Sequence, residues 1–215
     1  MNQDQLPQLG DDGRILEGVV TTLNEDRSVN ISPMGPIVDP QLKTLVLRPF
    51  RTSKTYQNLK RTGQGVFHVT DNVKLIAQTA VGTPDPLPRL AATQKIDAMA
   101  LVDACRWYEF TVESLDDRDE RTWIVAQTVA QQHNRDFFGF NRAQHAVLEA
   151  AILATRVSLL PVEQVLTELQ RLQSPVKKTA GAAEQEAFDF LRDHIERHLV
   201  QQCKGSIRHI VENTQ

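Results

Sequence analysis

Two hydrophobic patterns divide the chain. Short β-branched and aromatic runs fill it up to about Asn134, and apolar residues at helical spacing follow. Residues 15–23 are rich in β-branched side chains, Asn24-Glu25-Asp26 supplies turn chemistry, and Ser28-Val29-Asn30-Ile31 completes an expected hairpin. Pro33, Gly35, Pro36 and Pro40 then break regular structure ahead of a short apolar strand at 44–47. Thr52 or Ser53 can cap a helix that carries Tyr56 and Leu59 three apart and stops at Gly63. A strand at 66–69 follows, then a short helix to Ala80 capped by Asp71 or Asn72. Gly82, Pro84, Pro86 and Pro88 mark a mobile loop. Residues 107–112 and 122–129 read as strands around an acidic tip at 115–120, for about six strands in all.

Residues 143–160 are nearly all apolar apart from His145, Glu149 and Arg156, which predicts a helix buried on most of its circumference. Pro161 can open the next helix, 162–172, with a linker over 174–181. Phe188, Leu191, Ile195 and Leu199 then trace one apolar stripe, so the tail reads as a helical hairpin or bundle. Strands first and helices second argue for an α+β chain with segregated domains: a flexible tail at 1–13, a β domain at 14–136 and a helical domain at 137–215.

Charge and cysteine usage narrow the partners. A net charge of −3, from 27 acidic against 24 basic residues, supplies no positive field for nucleic acid or an anionic membrane. Cys105 and Cys203 have neither metal-ligand spacing nor the density of a disulfide-stapled domain, which fits a reducing, cytoplasmic setting. The start of the chain lacks signal-peptide order, and no apolar run reaches ~18 residues, so no membrane span is expected. Dinucleotide, phosphate-loop and nucleophile-elbow motifs are all missing.

The richest chemistry lies in Arg48-Pro-Phe-Arg-Thr-Ser-Lys-Thr-Tyr56. Cations Arg48, Arg51 and Lys54 and hydroxyls Thr52, Ser53 and Thr55 gather where a strand gives way to a helix. A helix start has unpaired N–H groups and partial positive charge, so it favours a phosphate dianion. An ordinary cap with solvated cations meets the same spacing. In 30–36, Ser32 offers a hydroxyl and Gly35 permits close backbone approach, although a tight turn needs the same residues. His68 reads first as a satisfied strand histidine, Cys105 as inert packing, and His194 with His198 as a solvated helix face. His145 and Glu149 suggest a buried pair that, with Arg156, could line a pocket or a subunit interface.

Taken together, Val29-Asn-Ile-Ser-Pro-Met34, Arg51-Thr-Ser-Lys-Thr-Tyr-Gln-Asn-Leu59 and Gly63-Gln-Gly-Val-Phe-His-Val69 resemble the flavin reductase-like branch of the FMN-binding split β-barrel proteins. Phe138-Gly-Phe-Asn-Arg142, Glu149-Ala and Ala154-Thr-Arg156 resemble the helical part of an archaeal and bacterial subfamily of that branch. The resemblance spans 14–200 and implies an FMN-binding split β-barrel followed by a small all-α helical domain. It implies FMN as cofactor, with the phosphate on Arg51, Thr52, Ser53 and Thr55 and the ring or ribityl chain near Ser32, Pro33, Met34 and His68, and the cation cluster adds Arg48 to the phosphate set. His68 stands where the branch has asparagine, which weakens that carry-over. The implied activity is an FMN-dependent oxidoreductase of unknown substrate, using NAD(P)H or another small redox partner, with a flavin site built in a homodimer. An FMN carrier or sensor without turnover is the alternative, and an oxidase like those acting on pyridoxamine phosphate is a third. No catalytic residue is assigned.

Overall fold

The computed structural model describes residues 6–212, with side chains through residue 202. Residues 1–5 of the expected tail and the Cys203 side chain lie outside the described residues. Residues 8–13 form a hydrogen-bonded turn in which the Gln8 carbonyl accepts from the amides of Asp11 and Gly13 at 3.2 and 2.9 Å.

Eight strands make one antiparallel sheet: β1 (Arg14–Ile15), β2 (Gly18–Leu23), β3 (Val29–Met34), β4 (Ile37–Val38), β5 (Thr44–Leu47), β6 (Gln64–Val69), β9 (Arg106–Asp116) and β10 (Trp123–His133). Their order is β1-β4-β5-β10-β9-β6-β2-β3. A separate two-stranded ribbon pairs β7 (Leu90–Ala92) with β8 (Met99–Leu101). The core of the sheet joins Val20, Val38, Leu45, Leu47, Phe67, Phe110 and Ile124 to Tyr56 and Leu59 of helix α1 (Lys54–Thr62). Alternation explains the set, since Val20, Phe67, Phe110 and Ile124 each sit on the covered side of a strand whose next residue points away.

Gly65 of β6 lies opposite Phe110, and a Cβ there would come within 2.6 Å of the phenyl ring. Replacing Gly65 by alanine therefore overpacks the core and should cost about 1–3 kcal/mol, read by chemical denaturation. An unchanged midpoint would refute the contact.

Several boundaries differ from the hydropathy reading. β3 runs on through Ser32, Pro33 and Met34, where the prolines and Gly35 predict a loop. β3 is an edge strand paired only with β2, where a proline nitrogen need not serve the ladder. The very short β1 and β4 and the β7–β8 ribbon carry too few alternating positions to stand out.

Among the described residues, those up to Asp71 with Asp85–Phe138 form one compact unit by contact, and Asn72–Pro84 with those from Gly139 onward form a second. Helix α2 (Val73–Val81), from the middle of the 14–136 stretch, thus belongs with the helical unit of α3 (Arg142–Ala154), α4 (Val162–Thr179) and α5 (Ala182–Glu212). The apolar run at 143–160 is helical only to Ala154, and His145 and Arg156 are exposed. The linker expected at 174–181 is replaced by helix as far as Thr179. Pro175 lies inside the helix, and the carbonyl it cannot satisfy belongs to Arg171, an exposed residue. The stripe Phe188, Leu191, Ile195 and Leu199 is buried as expected. No helix among the described residues is long and apolar enough to cross a membrane.

Candidate functional site

The turn between β5 and α1 is built so that its polar groups are held but not used up. Ser53 is the cap of α1: it accepts from the Tyr56 amide at 3.2 Å, while Gly63 ends the helix in the left-handed region at φ 66°. The Ser53 amide is taken by the Phe50 carbonyl at 2.9 Å, but the amides of Thr52, Lys54 and Thr55 find no acceptor among the described residues. Arg48, at the end of β5, is half-buried, and its Nε is shut off from solvent without a hydrogen-bond partner. A guanidinium in that state is costly unless an acceptor arrives from outside the chain. Arg51 is exposed and spends one donor on the Asp117 carbonyl at 3.0 Å. Thr52 and Lys54 are exposed as well.

Thr55 faces inward instead. It is 2% exposed, and its hydroxyl accepts from Asn30 Nδ2 at 3.1 Å, which ties the start of α1 to β3. Asn30 also donates to Thr22 Oγ1 at 3.2 Å, and Thr22 accepts in turn from the buried amide of Asn58 at 3.0 Å. Along β3 the side chains alternate, so Ser32 and Met34 share a face with Asn30 while Pro33 points to the other face. Of the nine residues selected by sequence, the structure thus links Thr55 to the face of Ser32 and Met34 and places Arg48, Arg51, Thr52 and Ser53 in one turn. Asn30, Thr22 and Asn58 were not selected, although Asn30 and Asn58 stand in the matching motifs; their signal was the spacing of Thr55 and Asn58, three apart on one helix face.

His68 is a correction. It is fully buried, and Leu101 donates its amide to Nε2 at 3.0 Å, so the proton sits on Nδ1 and is donated to the Val19 carbonyl at 3.1 Å. Neither nitrogen is left for a ligand. Burial lowers its pKa to about 4. His68 works with two other buried groups, Thr21, which donates to the Met99 carbonyl at 2.6 Å, and Glu109, whose two oxygens accept from the amides of Gln94 and Lys95 at 2.8 and 2.7 Å. Together they pin the β7–β8 ribbon to the sheet.

The remaining candidates are structural. His145 and Glu149 stand 3.9 Å apart with the imidazole 72% exposed, so they form a surface pair and not a buried one. The rings of His194 and His198 stack at 4.2 Å, and no cluster able to hold a metal occurs among the described residues. Cys105 is buried, which pushes its thiol pKa up.

An eight-stranded antiparallel sheet with segregated helices, and a polar turn at the start of helix α1, which packs into its core, defines the split β-barrel class. Residues 16–135 match the N-terminal domain, and residues 141–193 the remainder, of a family described as protein of unknown function DUF447. The chain belongs to that family. Among solved structures it is similar to an FMN-bound protein of Methanosarcina mazei assigned to the same family, at 22% identity and a TM-score of 0.73, covering 84% of this chain and 94% of that one. Looser likenesses are to a nitrilotriacetate monooxygenase component B of Bacillus cereus (16% identity, TM-score 0.49, covering 63% and 81%) and a 2-nitrobenzoate 2-nitroreductase of Pseudomonas fluorescens (16%, 0.47, 62% and 72%). No curated protein matches the sequence.

Proposed function

We propose that this chain is an FMN-binding flavoprotein, and that the flavin phosphate is taken by the turn 48–55. The observation that carries the reading is Arg48: a half-buried guanidinium with a sealed, unpartnered Nε, in the same turn as three unpartnered amides. The donor set fits a phosphate dianion, with Arg48 and Arg51 supplying charge-assisted hydrogen bonds and Thr52, Lys54 and Thr55 supplying backbone donors. Ser32 and Met34, on the face shared with Asn30, suit the ring and ribityl chain, whereas Pro33 faces away and His68 has no free nitrogen. The FMN bound by the Methanosarcina mazei relative supports the choice of flavin.

Bound FMN supplies hydride acceptance and donation, and the protein contributes binding, orientation and electrostatics, so no set of catalytic acids is required. We favour an oxidoreductase of the flavin reductase type with NAD(P)H as donor. Anaerobic NADH or NADPH should then bleach the bound flavin, and resistance to both would favour an FMN carrier or sensor. We also expect a homodimer, because two-fold association is the commonest closed symmetry and Phe138 stands 81% exposed, an apolar side chain that a second copy can cover. Light scattering should give twice the chain mass at micromolar concentration, and a monomer that retains flavin would refute the dimer. Saturable quenching of FMN fluorescence on titration with the protein tests the binding itself.

A further inference from the structure

We infer that the acidic tip between β9 and β10 is the brace of the phosphate turn, with Asp117 as its positioning residue. This inference rests on the FMN reading above and adds to it a residue outside the 48–55 segment. Residue 117 grips α1 with its side chain and the preceding turn with its backbone. Its Oδ2 accepts from the Tyr56 hydroxyl at 2.6 Å and from Lys60 Nζ at 2.7 Å, and that same Nζ lies 3.1 Å from the Tyr56 oxygen. Its carbonyl accepts from Arg51 Nη1 at 3.0 Å, which fixes one donor of an otherwise exposed guanidinium.

The neighbours of Asp117 continue the brace. The Glu120 carbonyl accepts from the Arg51 amide at 2.9 Å. Thr122 donates its amide and hydroxyl to the Pro49 carbonyl at 3.0 and 2.8 Å, and Arg121 stacks on Phe50 at 4.6 Å while reaching the Arg48 carbonyl at 3.3 Å. Each of the four residues 48–51 is therefore held by a partner between 117 and 122. The Lys60–Asp117 ion pair is exposed, with the lysine side chain 58% accessible, so it adds little to global stability and its use is geometric.

Charge and geometry make opposite predictions here, which allows a clean test. Asp117 is a carboxylate close to a proposed dianion site, so as a mere neighbouring charge its removal would tighten FMN binding. As a brace, loss of its carboxylate unties the hairpin tip, and with it the carbonyl that holds Arg51, from Tyr56 and Lys60 of α1, so the turn loosens and FMN binding weakens. FMN and riboflavin, which shares the ring system but lacks the phosphate, are titrated into wild type, Asp117→Ala and Tyr56→Phe, with thermal stability measured alongside. Tyr56→Phe removes the hydroxyl contact without changing charge. We expect both variants to lose FMN affinity by roughly three- to tenfold while riboflavin stays within about twofold. Tighter FMN binding by Asp117→Ala, or an FMN-to-riboflavin ratio unchanged in Tyr56→Phe, overturns the brace. A wild type that does not prefer FMN over riboflavin overturns the phosphate assignment itself, and the brace with it.

Discussion

Replacing Arg48 by alanine is expected to weaken FMN binding about ten- to a hundredfold and to change riboflavin binding little, because a hydrogen bond to a charged group is worth roughly 1.5–3 kcal/mol. Arg48 is singled out over Arg51 by burial. Arg51 is exposed and already donates to a carbonyl, so water replaces much of what it loses. Arg48 is half-buried and its sealed Nε has no acceptor, so its guanidinium is poorly compensated within the chain and gains more from a phosphate at its terminal nitrogens than a solvated guanidinium does. Burial of Arg48 has a second consequence. In the absence of flavin, Arg48→Ala relieves a buried unpaired donor and should leave the thermal midpoint unchanged or raised. Equal loss of both flavins together with a lowered midpoint would mean that Arg48 is a framework residue and would remove it from the site.

The second large effect is an acid-induced loss of stability that begins well above the carboxylate range. His68 is neutral and buried, with its pKa lowered from 6.5 to about 4 by burial, partly opposed by its hydrogen bond to Val19. A group whose folded pKa is depressed contributes its full stability above the unfolded value and loses it as the pH falls through the folded one. Unfolding free energy should therefore drop by about 3 kcal/mol between pH 6.5 and pH 4 from this residue. Asp71 acts in a lower window. The Arg135 guanidinium holds its pKa at about 2, so its contribution fades only below 3.8. The pKa of His194 is also lowered, by burial and by the neighbouring His198 and Arg197, so a variant is needed to isolate the part due to His68. His68→Gln can donate to Val19 and accept from Leu101 without titrating. Denaturation of both proteins at several pH values should show the slope between pH 6.5 and 4 flattened in His68→Gln. Parallel slopes would show that His68 is not the buried neutral crosslink described here.

The parts of the fold that were legible in the sequence were those with local causes. Ser53, Tyr56, Leu59 and Gly63 mark α1 from cap to stop, and each does what its chemistry dictates. Asn72 caps α2 for the same reason. Pro33 misled because a proline in a strand is tolerated or not according to whether the strand lies at an edge, and that depends on the whole sheet. Pro175 misled in the same way, since only the packing decides whether the orphaned carbonyl faces water.

The candidate site divides along the same line. The cluster of cations and hydroxyls at 48–55 was visible as composition, but which cation lacks a partner was not, because Arg51 is engaged by residues sixty positions or more away in sequence. His68 was drawn in by its place in a motif and is excluded by two backbone groups from β2 and β8. Asp117 gave no signal of its own within an acidic run. Its importance comes from the hairpin that carries it against Tyr56 and Lys60.

The central claim is that this chain holds FMN, and the most direct measurement is the flavin content of the protein after saturation with FMN and gel filtration. The account predicts a yellow protein whose absorbance shows near-equimolar FMN, with much less retained when riboflavin is used instead. Colourless protein after the same treatment, together with no saturable binding of FMN at equilibrium, would contradict it.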